Sequence, residues 1–369
     1  MTVRKLKITK NQILTDLKTN NVLVAKVPRT DYSVTELFAG AGGMALGFEK
    51  AGLQHKLLIE HDKWCCQTLL RNRPDWRIYQ CDVAEFDFTG VHTDVVSGGF
   101  PCQDYSHAGG KQGFATPRGS LMLQFIRAVE EIHPKVCVAE NVSGLVRHSR
   151  AVGVLQRSLE RLGYNVQMQV LNALNYDVAQ KRKRVFIVGT LPSVQFEYPL
   201  QTGRSYVLRD VIDDPRIRQG NGATYSPARR AVYRQVPPGG CWRDLPPSVA
   251  EEFMGTDYYK GGGRTGYCRR LSMNEPCLTL LTSPAQRRTE RIHPMITRPL
   301  NILEYARIQT FPDLWGFKGS LNSRYRQIGN AVPVNLAFHI GLSVIDALRG
   351  YTGAVRGDPE GGRVTERMV

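Results

Sequence analysis

The sequence lacks the features that mark several large classes of protein. Its eight cysteines form no C-x-x-C pair, so zinc-ribbon and zinc-finger spacings are absent and no metal site is expected. No apolar run approaches the roughly 20 residues of a membrane span, and the first residues carry no apolar stretch of the secretory type. These absences predict a cytoplasmic protein with no membrane segment, whose cysteines are reduced thiols.

Acidic residues are scarce relative to basic ones. The 369 residues include 49 Lys and Arg against 33 Asp and Glu, which gives a formal charge of +16. A balance this basic favours a polyanionic partner, with nucleic acid as the first candidate. A protein that is merely soluble and basic is the alternative interpretation of the same charge.

Segments of strand and helix character alternate over the first half of the chain. VTELFAGAGG, HKLLIEHD, TDVVSGGFPC and KVCVAENV have strand character, and LMLQFIRAVEEIHP has the apolar spacing of an amphipathic helix. This alternation predicts an α/β fold with a doubly wound parallel sheet. Ligands of such sheets bind outside the carboxyl ends of the strands, so residues at those ends are the candidates for function.

Changes in composition along the chain predict its domain organisation. Residues 1–31 are Lys-rich and are predicted to form an N-terminal extension with one short helix. Residues 32–191 are predicted to form the main α/β domain, completed by residues 322–350. The Pro-, Gly- and Arg-rich segment 192–321 is expected to be a smaller, irregular basic domain with a hinge, and 351–369 a flexible tail.

A glycine-rich turn and two acids end the first three predicted strands. FAGAGG (Phe38–Gly43) opens a helix but is not the G-x-G-x-x-G dinucleotide fingerprint, which argues against a nicotinamide-dependent dehydrogenase. Glu60 is placed to bind ribose hydroxyls and Asp82 to accept from an adenine amino group. Together they indicate an adenosine-bearing cofactor; a packing turn and solvated loop acids are the alternative.

Polar residues with catalytic potential end the next strands. Cys102 follows Pro101, whose ring restricts the local backbone, and a thiol activated there is a nucleophile. Glu140 leaves an apolar strand, so desolvation should raise its pKa and suit it to hydrogen-bond donation. Arg182 and Arg184 share one face of QKRKR and suit a base carbonyl, a phosphate or the Glu140 carboxylate. An inert loop thiol, a helix N-terminal acid and a solvated basic run are the respective alternatives.

Six motifs follow one another along most of the chain. FAGAGG, GGFPCQ, ENV, QKRKR, RPLNILEYARIQTFPD and GNAVPVN span about residues 34–342. In this order they closely resemble the DNA (cytosine-5)-methyltransferase family of the bacterial restriction-modification type. The resemblance implies a Rossmann-like sheet that binds S-adenosylmethionine and a smaller irregular target-recognition domain. The cofactor-binding residues that it implies are Phe38, Gly40, Gly42, Gly43, Glu60, Asp82, Leu121, Asn330 and Val332. Ala331 departs from the family, which usually has serine there.

The resemblance also implies a mechanism of covalent catalysis. Cys102 would add to carbon 6 of a cytosine flipped out of the duplex, so that carbon 5 can take the methyl group. Glu140 would hydrogen-bond or protonate ring nitrogen 3, Arg182 would hold the carbonyl edge of the base, and Arg184 would support them. Lys111 and Arg118, in and after a glycine-containing loop, would grip phosphates as that loop closes.

Double-stranded DNA is the partner that the resemblance implies, and the enzyme is expected to be monomeric. A cognate restriction endonuclease would belong to the same system without being a stable partner. Arginines of the second domain are candidates for base or phosphate contacts. They are Arg264, Arg269, Arg270, Arg287, Arg288 and Arg291.

Two other functions fit parts of the same pattern. A tRNA cytosine-5 methyltransferase would use the same motifs on RNA, and the length of the recognition segment argues against it. A DNA-binding relative without catalysis is the non-enzymatic alternative. Cys102, Glu140, Arg182 and Asn330 are all present in their motifs, which argues against that alternative.

Overall fold

A computed structural model describes residues 9–19, 28–101, 119–260 and 263–351 of the chain. The strands are β1 (Ser33–Leu37), β2 (Gln54–Glu60), β3 (Ile78–Gln80), β4 (Val95–Gly98), β5 (Val136–Val142), β6 (Asn165–Asn172), β7 (Gln180–Lys181), β8 (Lys183–Thr190) and β9 (Cys277–Leu278). Seven of them form one sheet in the order β3-β2-β1-β4-β5-β8-β6, and β7 pairs with β9 in a separate parallel pair.

The sheet is parallel except at β8, which runs antiparallel to both of its neighbours. The connection between β6 and β8 contains no full crossover helix, and a parallel pairing needs a crossover of a dozen or more residues. β8 therefore returns beside β6 in the opposite direction. The predicted doubly wound α/β sheet is confirmed, with this one antiparallel strand.

Helices cover both faces of the sheet and continue into the second half of the chain. They are α1 (Lys10–Thr19), α2 (Gly43–Ala51), α3 (Lys63–Asn72), α4 (Gly119–Ile132), α5 (Ser149–Arg161), α6 (Leu208–Ile212), α7 (Pro215–Arg218), α8 (Pro227–Tyr233), α9 (Pro247–Met254), α10 (Ile302–Ile308), α11 (Leu321–Asn330) and α12 (Val334–Arg349). The stretch Leu321–Arg349 is apolar and long enough to cross a membrane by composition, but its apolar window is 72% buried inside the fold. The apolar residues of this stretch therefore pack in the protein core.

Successive residues of the buried strands face opposite sides of the sheet. Val95 packs in the core cluster that contains α2 and α12, whereas Val96 packs in the cluster that contains α4 and α5. Each fully buried aliphatic or aromatic side chain stabilises the fold by about 1.5–3 kcal/mol. Because both faces are covered, the strands are continuous apolar runs, as in VVSG and VCVA.

The N-terminal segment contributes to the core of the main domain. Ile13 and Leu17 of α1 are buried there, and Asp16 forms a fully buried ion pair with Lys50 of α2. Sequence analysis predicted one short helix in an extension, and the structure shows this helix docked. Because a buried charge without a partner is costly, removal of Asp16 would leave Lys50 in an unfavourable site.

The main core also extends into the segment predicted to be the second domain. Val194, Phe196 and Leu208 on one side, and Tyr305 and Phe311 on the other, belong to the same cluster as α2 and α12. A separate small core lies between these segments. Its buried members are Tyr225, Tyr233, Val236, Leu245, Ala250, Cys268 and Ile292. The residues of the small core thus cover only the middle of the range 192–321, because both ends of that range pack on the sheet domain.

Candidate active site

A cleft of about 930 Å³ opens at the carboxyl ends of β1, β2, β4 and β5. The loop after β1, the ends of the other three strands, and QKRKR line one side. Residues 279–282 and 326–332 line the other. The topology therefore brings together motifs that are separated by almost 300 residues in the chain.

Glu60 joins two loops at one end of the cleft. Its Oε2 accepts a hydrogen bond from the Gly40 amide at 2.7 Å, and its Oε1 accepts from the Asp62 amide at 2.7 Å. Burial raises the pKa of the Glu60 carboxyl, and these two amide donors oppose the shift. The carboxylate has further lone pairs, so it can hold both loops and still accept from ligand hydroxyls.

The glycine-rich turn carries local backbone strain beside the cleft. Phe38 lines the cleft with φ 55°, in the left-handed region that a bulky residue seldom adopts. Such strain costs on the order of 1–3 kcal/mol and is concentrated at functional sites. Gly42, with φ 85°, caps α2, and a Cβ there would lie 2.7 Å from the Leu69 side chain. Gly42 is not among the cleft-lining residues, so its place in the turn is explained by conformation and packing.

The remaining predicted cofactor residues line the same end. They are Gly40, Gly43, Asp82, Leu121, Asn330 and Val332. Asp82 is exposed, and its side chain accepts from the Ala84 amide at 2.9 Å, which orients its carboxylate.

The backbone that leads into Cys102 is held at the other end of the cleft. The buried Asn141 amide donates to the Phe100 carbonyl at 2.8 Å, and Pro101 lines the cleft. At Gly99, a Cβ would lie 2.9 Å from Glu140 Oε2, so glycine lets this segment approach the carboxylate closely. Cys102 itself, with Lys111 and Arg118, lies outside the described residues.

Glu140 and Arg184 form a buried ion pair in the cleft. Arg184 Nε lies 2.9 Å from Glu140 Oε1, and both side chains are about nine-tenths buried. Burial raises the pKa of Glu140, whereas Arg184 and Arg182 act to lower it. Arg184 also donates from Nη1 to the Lys183 carbonyl at 2.8 Å, and its Nη2 makes no hydrogen bond to the described residues.

Arg182 lines the cleft and is bonded to backbone carbonyls of the opposite wall. Its Nη1 donates to the Leu280 carbonyl at 2.8 Å, and its Nη2 donates to Gly329 at 2.7 Å and Ala331 at 3.1 Å. These bonds join two walls of the cleft. This geometry does not favour the prediction that Arg182 holds the carbonyl edge of a base, because both of its terminal nitrogens are occupied and only its buried Nε lacks a partner among the described residues.

Two of the predicted DNA-contacting arginines are buried in the protein. Arg270 donates to the Tyr233 carbonyl at 2.7 Å and the Thr297 hydroxyl at 2.9 Å, and Arg291 donates to the Thr279 carbonyl at 2.9 Å. Their guanidinium groups cross-link loops, so this geometry does not favour the predicted DNA contact for either residue.

The other four arginines lie at least partly at the surface. Arg287 and Arg288 are exposed, with Arg287 over the Phe253 ring and Arg288 Nε bonded to the Tyr267 hydroxyl. Arg264 and Arg269 are half-buried.

Glu36, Gln286 and Arg326 are among the cleft-lining residues that sequence analysis did not assign to the site. Glu36 is buried in the middle of β1, and burial raises its pKa. The sequence signal for Glu36 was a glutamate inside an apolar strand. Glutamate is seldom fully buried, so its presence there indicates a specific partner or a functional role. Gln286 and Arg326 come from the loop after β9 and from α11. Nothing local marked them, because their position depends on how the second half of the chain packs.

The fold defines the class of this protein: a Rossmann-like α/β fold with a ligand cleft at the carboxyl ends of its strands. Solved structures share the fold at low sequence identity. The methyltransferase EhMeth of Entamoeba histolytica superposes with a TM-score of 0.66 at 13% identity, over 87% of this chain and 99% of that one. A DNMT2 variant of Spodoptera frugiperda superposes with a TM-score of 0.64 at 13% identity, over 85% and 100%.

The sequence comparisons give the family. The model of the C-5 cytosine-specific DNA methylase family matches residues 32–346, and the chain therefore belongs to this family. It is similar to the type II methyltransferase M.Eco47II of Escherichia coli, with 47% identity over 88% of this chain and 81% of that one. It is also similar to the type II methyltransferase M.Sau96I of Staphylococcus aureus, with 46% identity over 87% and 77%. The resemblance stated from the motifs is confirmed.

Proposed function

We propose that this DNA (cytosine-5)-methyltransferase transfers the methyl group of S-adenosylmethionine to one cytosine of a specific duplex sequence. We further propose that it protects host DNA in a type II restriction-modification system, as the names of its relatives indicate for them. The observation that carries the chemistry is the buried pair of Glu140 and Arg184 beside the segment that leads to Cys102. This pair supplies a carboxyl and a guanidinium to one edge of a planar base.

The cofactor end of the cleft suits a cationic ligand. Glu36, Glu60, Asp62 and Asp82 line it, and the positive sulfonium and ammonium groups of S-adenosylmethionine would favour the ionised forms of these acids. A pyrophosphate would be repelled by the same acids. Glu60 would bind the ribose hydroxyls and Asp82 the adenine amino group, with Phe38 against the adenine ring.

The protein's own residues would activate the cytosine. The Cys102 thiolate forms a bond to carbon 6, and the electron pair of the carbon 5–carbon 6 double bond moves into the ring, toward carbon 5 and the conjugated nitrogen 3. Glu140 donates a hydrogen bond or a proton to nitrogen 3 as negative charge develops there. S-adenosylmethionine supplies the methyl group that carbon 5 takes. Loss of the carbon 5 proton then returns an electron pair to the ring, and the thiolate leaves from carbon 6.

The two arginines exchange the roles predicted from the sequence. Arg184 orients Glu140 through Nε and has Nη2 free among the described residues for the carbonyl oxygen of the base. Arg182 positions the cleft walls through its three bonds to backbone carbonyls. An exchange of Arg182 for Lys would lose the forked geometry that reaches these carbonyls simultaneously.

Product analysis with two nucleic acids tests this function. The protein is incubated with S-adenosylmethionine and either unmethylated genomic DNA or total tRNA, and 5-methylcytosine is quantified by mass spectrometry after digestion to nucleosides. We expect product in DNA alone, and bisulfite sequencing of that sample gives the recognised site. Product in RNA alone would instead favour the tRNA methyltransferase, and product in neither would remove support for the catalytic roles.

A further inference from the structure

A second cavity, of about 570 Å³, lies apart from the catalytic cleft and shares no lining residue with it. Its walls come from the loop after α7, from α8, and from the segment that precedes α10. We call it the basic pocket. Its charged lining residues are Arg218, Arg230, Arg234 and Arg298.

The charge of the basic pocket is of one sign, because no Asp or Glu lines it. Arg218 is bonded to Asp213 at 2.6 Å and Arg298 to Glu304 at 2.7 Å, both outside the lining. Arg230 and Arg234 are exposed and form no ion pair with the described residues. Two guanidinium groups are therefore available to an anion.

Arg230 and Arg234 repel each other in the free protein. They are four residues apart, at the end of α8 and at its C-cap, which places them on one face of the helix. Like charges at this spacing destabilise a helix, and two further arginines, Arg218 and Arg298, line the same cavity. A bound anion would relieve this repulsion.

The basic pocket adjoins the catalytic cleft across α11. Gly222 and Ala223 line the pocket, and the Ala223 amide donates to the Tyr325 hydroxyl at 3.0 Å. Arg326, the next residue of α11, lines the catalytic cleft and bonds to Asp62 at 2.8 Å. Neighbouring residues of α11 therefore contact the walls of both cavities.

We propose that the basic pocket binds phosphates of the DNA backbone that flanks the recognised sequence. Arginine forks match phosphate oxygens, and the Thr224 and Thr297 hydroxyls in the lining add polar contacts. The exposed Met295 and Ile296 at this cavity suit the apolar faces of deoxyribose. The site rests on DNA being the substrate, and it adds affinity without reading sequence.

The test compares two duplexes and two double variants. After the recognised sequence is mapped, one duplex carries that sequence alone and a longer one adds flanking DNA on both sides. Arg230→Gln/Arg234→Gln removes the two available charges of the pocket. Arg157→Gln/Arg161→Gln on α5 is the matched control, because it removes two exposed arginines with the same spacing from the other side of the sheet.

We expect the pocket variant to bind the longer duplex at least about tenfold more weakly, and the slope of log affinity against log salt to fall by about 1.8 for two phosphates. Its binding to the short duplex and its methylation of that duplex should equal those of the wild type, and its thermal unfolding midpoint should not fall below the wild-type value. The control variant should keep wild-type affinity for both duplexes.

Three results would overturn the proposal. They are an unchanged affinity for the longer duplex, an equal loss on both duplexes, and an equal loss in the control variant. Calorimetric binding of tripolyphosphate that depends on Arg230 and Arg234, with no effect on long-duplex affinity, would identify a small-anion site instead. Methylation of the short duplex by the wild type reports the proposed function separately, so the two failures are distinguishable.

Discussion

Exchange of Glu60 for Gln tests two separate roles of this side chain: its contribution to the free energy of unfolding and its contribution to cofactor affinity. Both carboxylate oxygens accept backbone amides at 2.7 Å, one from Gly40 and one from Asp62. Glutamine has the same size but only one acceptor oxygen, so its NH₂ group would face one of these amide donors. The glycine turn and the start of α3 would lose a shared anchor even before a ligand binds.

The magnitude follows from the bond that is lost. A hydrogen bond to a charged acceptor contributes about 1.5–3 kcal/mol, so Glu60→Gln should lower the free energy of unfolding by about 2 kcal/mol without any cofactor. Loss of the charged acceptor for the ribose hydroxyls should also raise the dissociation constant for S-adenosylmethionine by about tenfold or more.

Urea unfolding and titration calorimetry measure these two effects. Glu85→Gln is the control, because Glu85 is exposed, near Asp82, and does not line the cleft. We expect the control to match the wild type in both assays. An unchanged free energy of unfolding in Glu60→Gln would refute the anchoring argument, and an unchanged cofactor affinity would refute ribose binding.

Three further predictions concern catalysis and pH. Cys102→Ser should abolish methyl transfer while retaining DNA affinity in a gel-shift assay, because an alcohol is a far weaker nucleophile than a thiolate. Arg184→Gln should move the alkaline limb of the pH–rate profile to higher pH, because removal of the cation that lowers the pKa of Glu140 keeps that carboxyl protonated to higher pH. His293 accepts the Met295 amide on Nδ1 at 3.1 Å, and its burial lowers its pKa to about 3. Histidine in the unfolded chain titrates near 6.5. The neutral, buried His293 therefore contributes its full share of the free energy of unfolding above pH 6.5, and this contribution is lost as the pH falls toward 3. The wild type should lose about 2 kcal/mol between pH 7.5 and pH 5 in urea unfolding, and His293→Asn, which keeps an acceptor, should lose less.

Each of these predictions has a contrary outcome. Normal turnover by Cys102→Ser would exclude the covalent route. An alkaline limb that stays in place in Arg184→Gln would mean that Glu140 does not set it. Equal pH dependence in the wild type and His293→Asn would show that another group controls the acid response.

Much of the fold was predictable because its signals are local. The apolar runs VVSG and VCVA, each bounded by a turn or a polar strand end, indicate buried strands, and parallel strands collect their carboxyl ends on one edge. That rule alone predicted a common site for Gly40, Glu60 and Glu140, and the cleft is lined by all three. The antiparallel β8 was missed, because strand direction depends on the length of the preceding connection.

The site was less predictable where burial decides what a side chain does. Arg270 and Arg291 lie in the same basic segment as Arg287 and Arg288, yet the first two are buried and the second two are exposed. A run of arginines looks the same in both cases. Their difference arises from the small core around Tyr233, which only the folded chain contains.

The sequence by itself determined the family, because the order of the motifs is visible in it. It also determined the sheet and the residues at the strand ends, because these follow from the pattern of apolar side chains along each strand and helix. Tertiary structure alone decided which partners the two arginines of QKRKR bond to. Arg182 meets carbonyls 98 and 147 positions away in the chain, whereas Arg184 meets Glu140 on the adjacent strand. Both arginines share one face of the motif, and only the contacts of the folded chain distinguish the guanidinium bound to backbone from the one paired with Glu140.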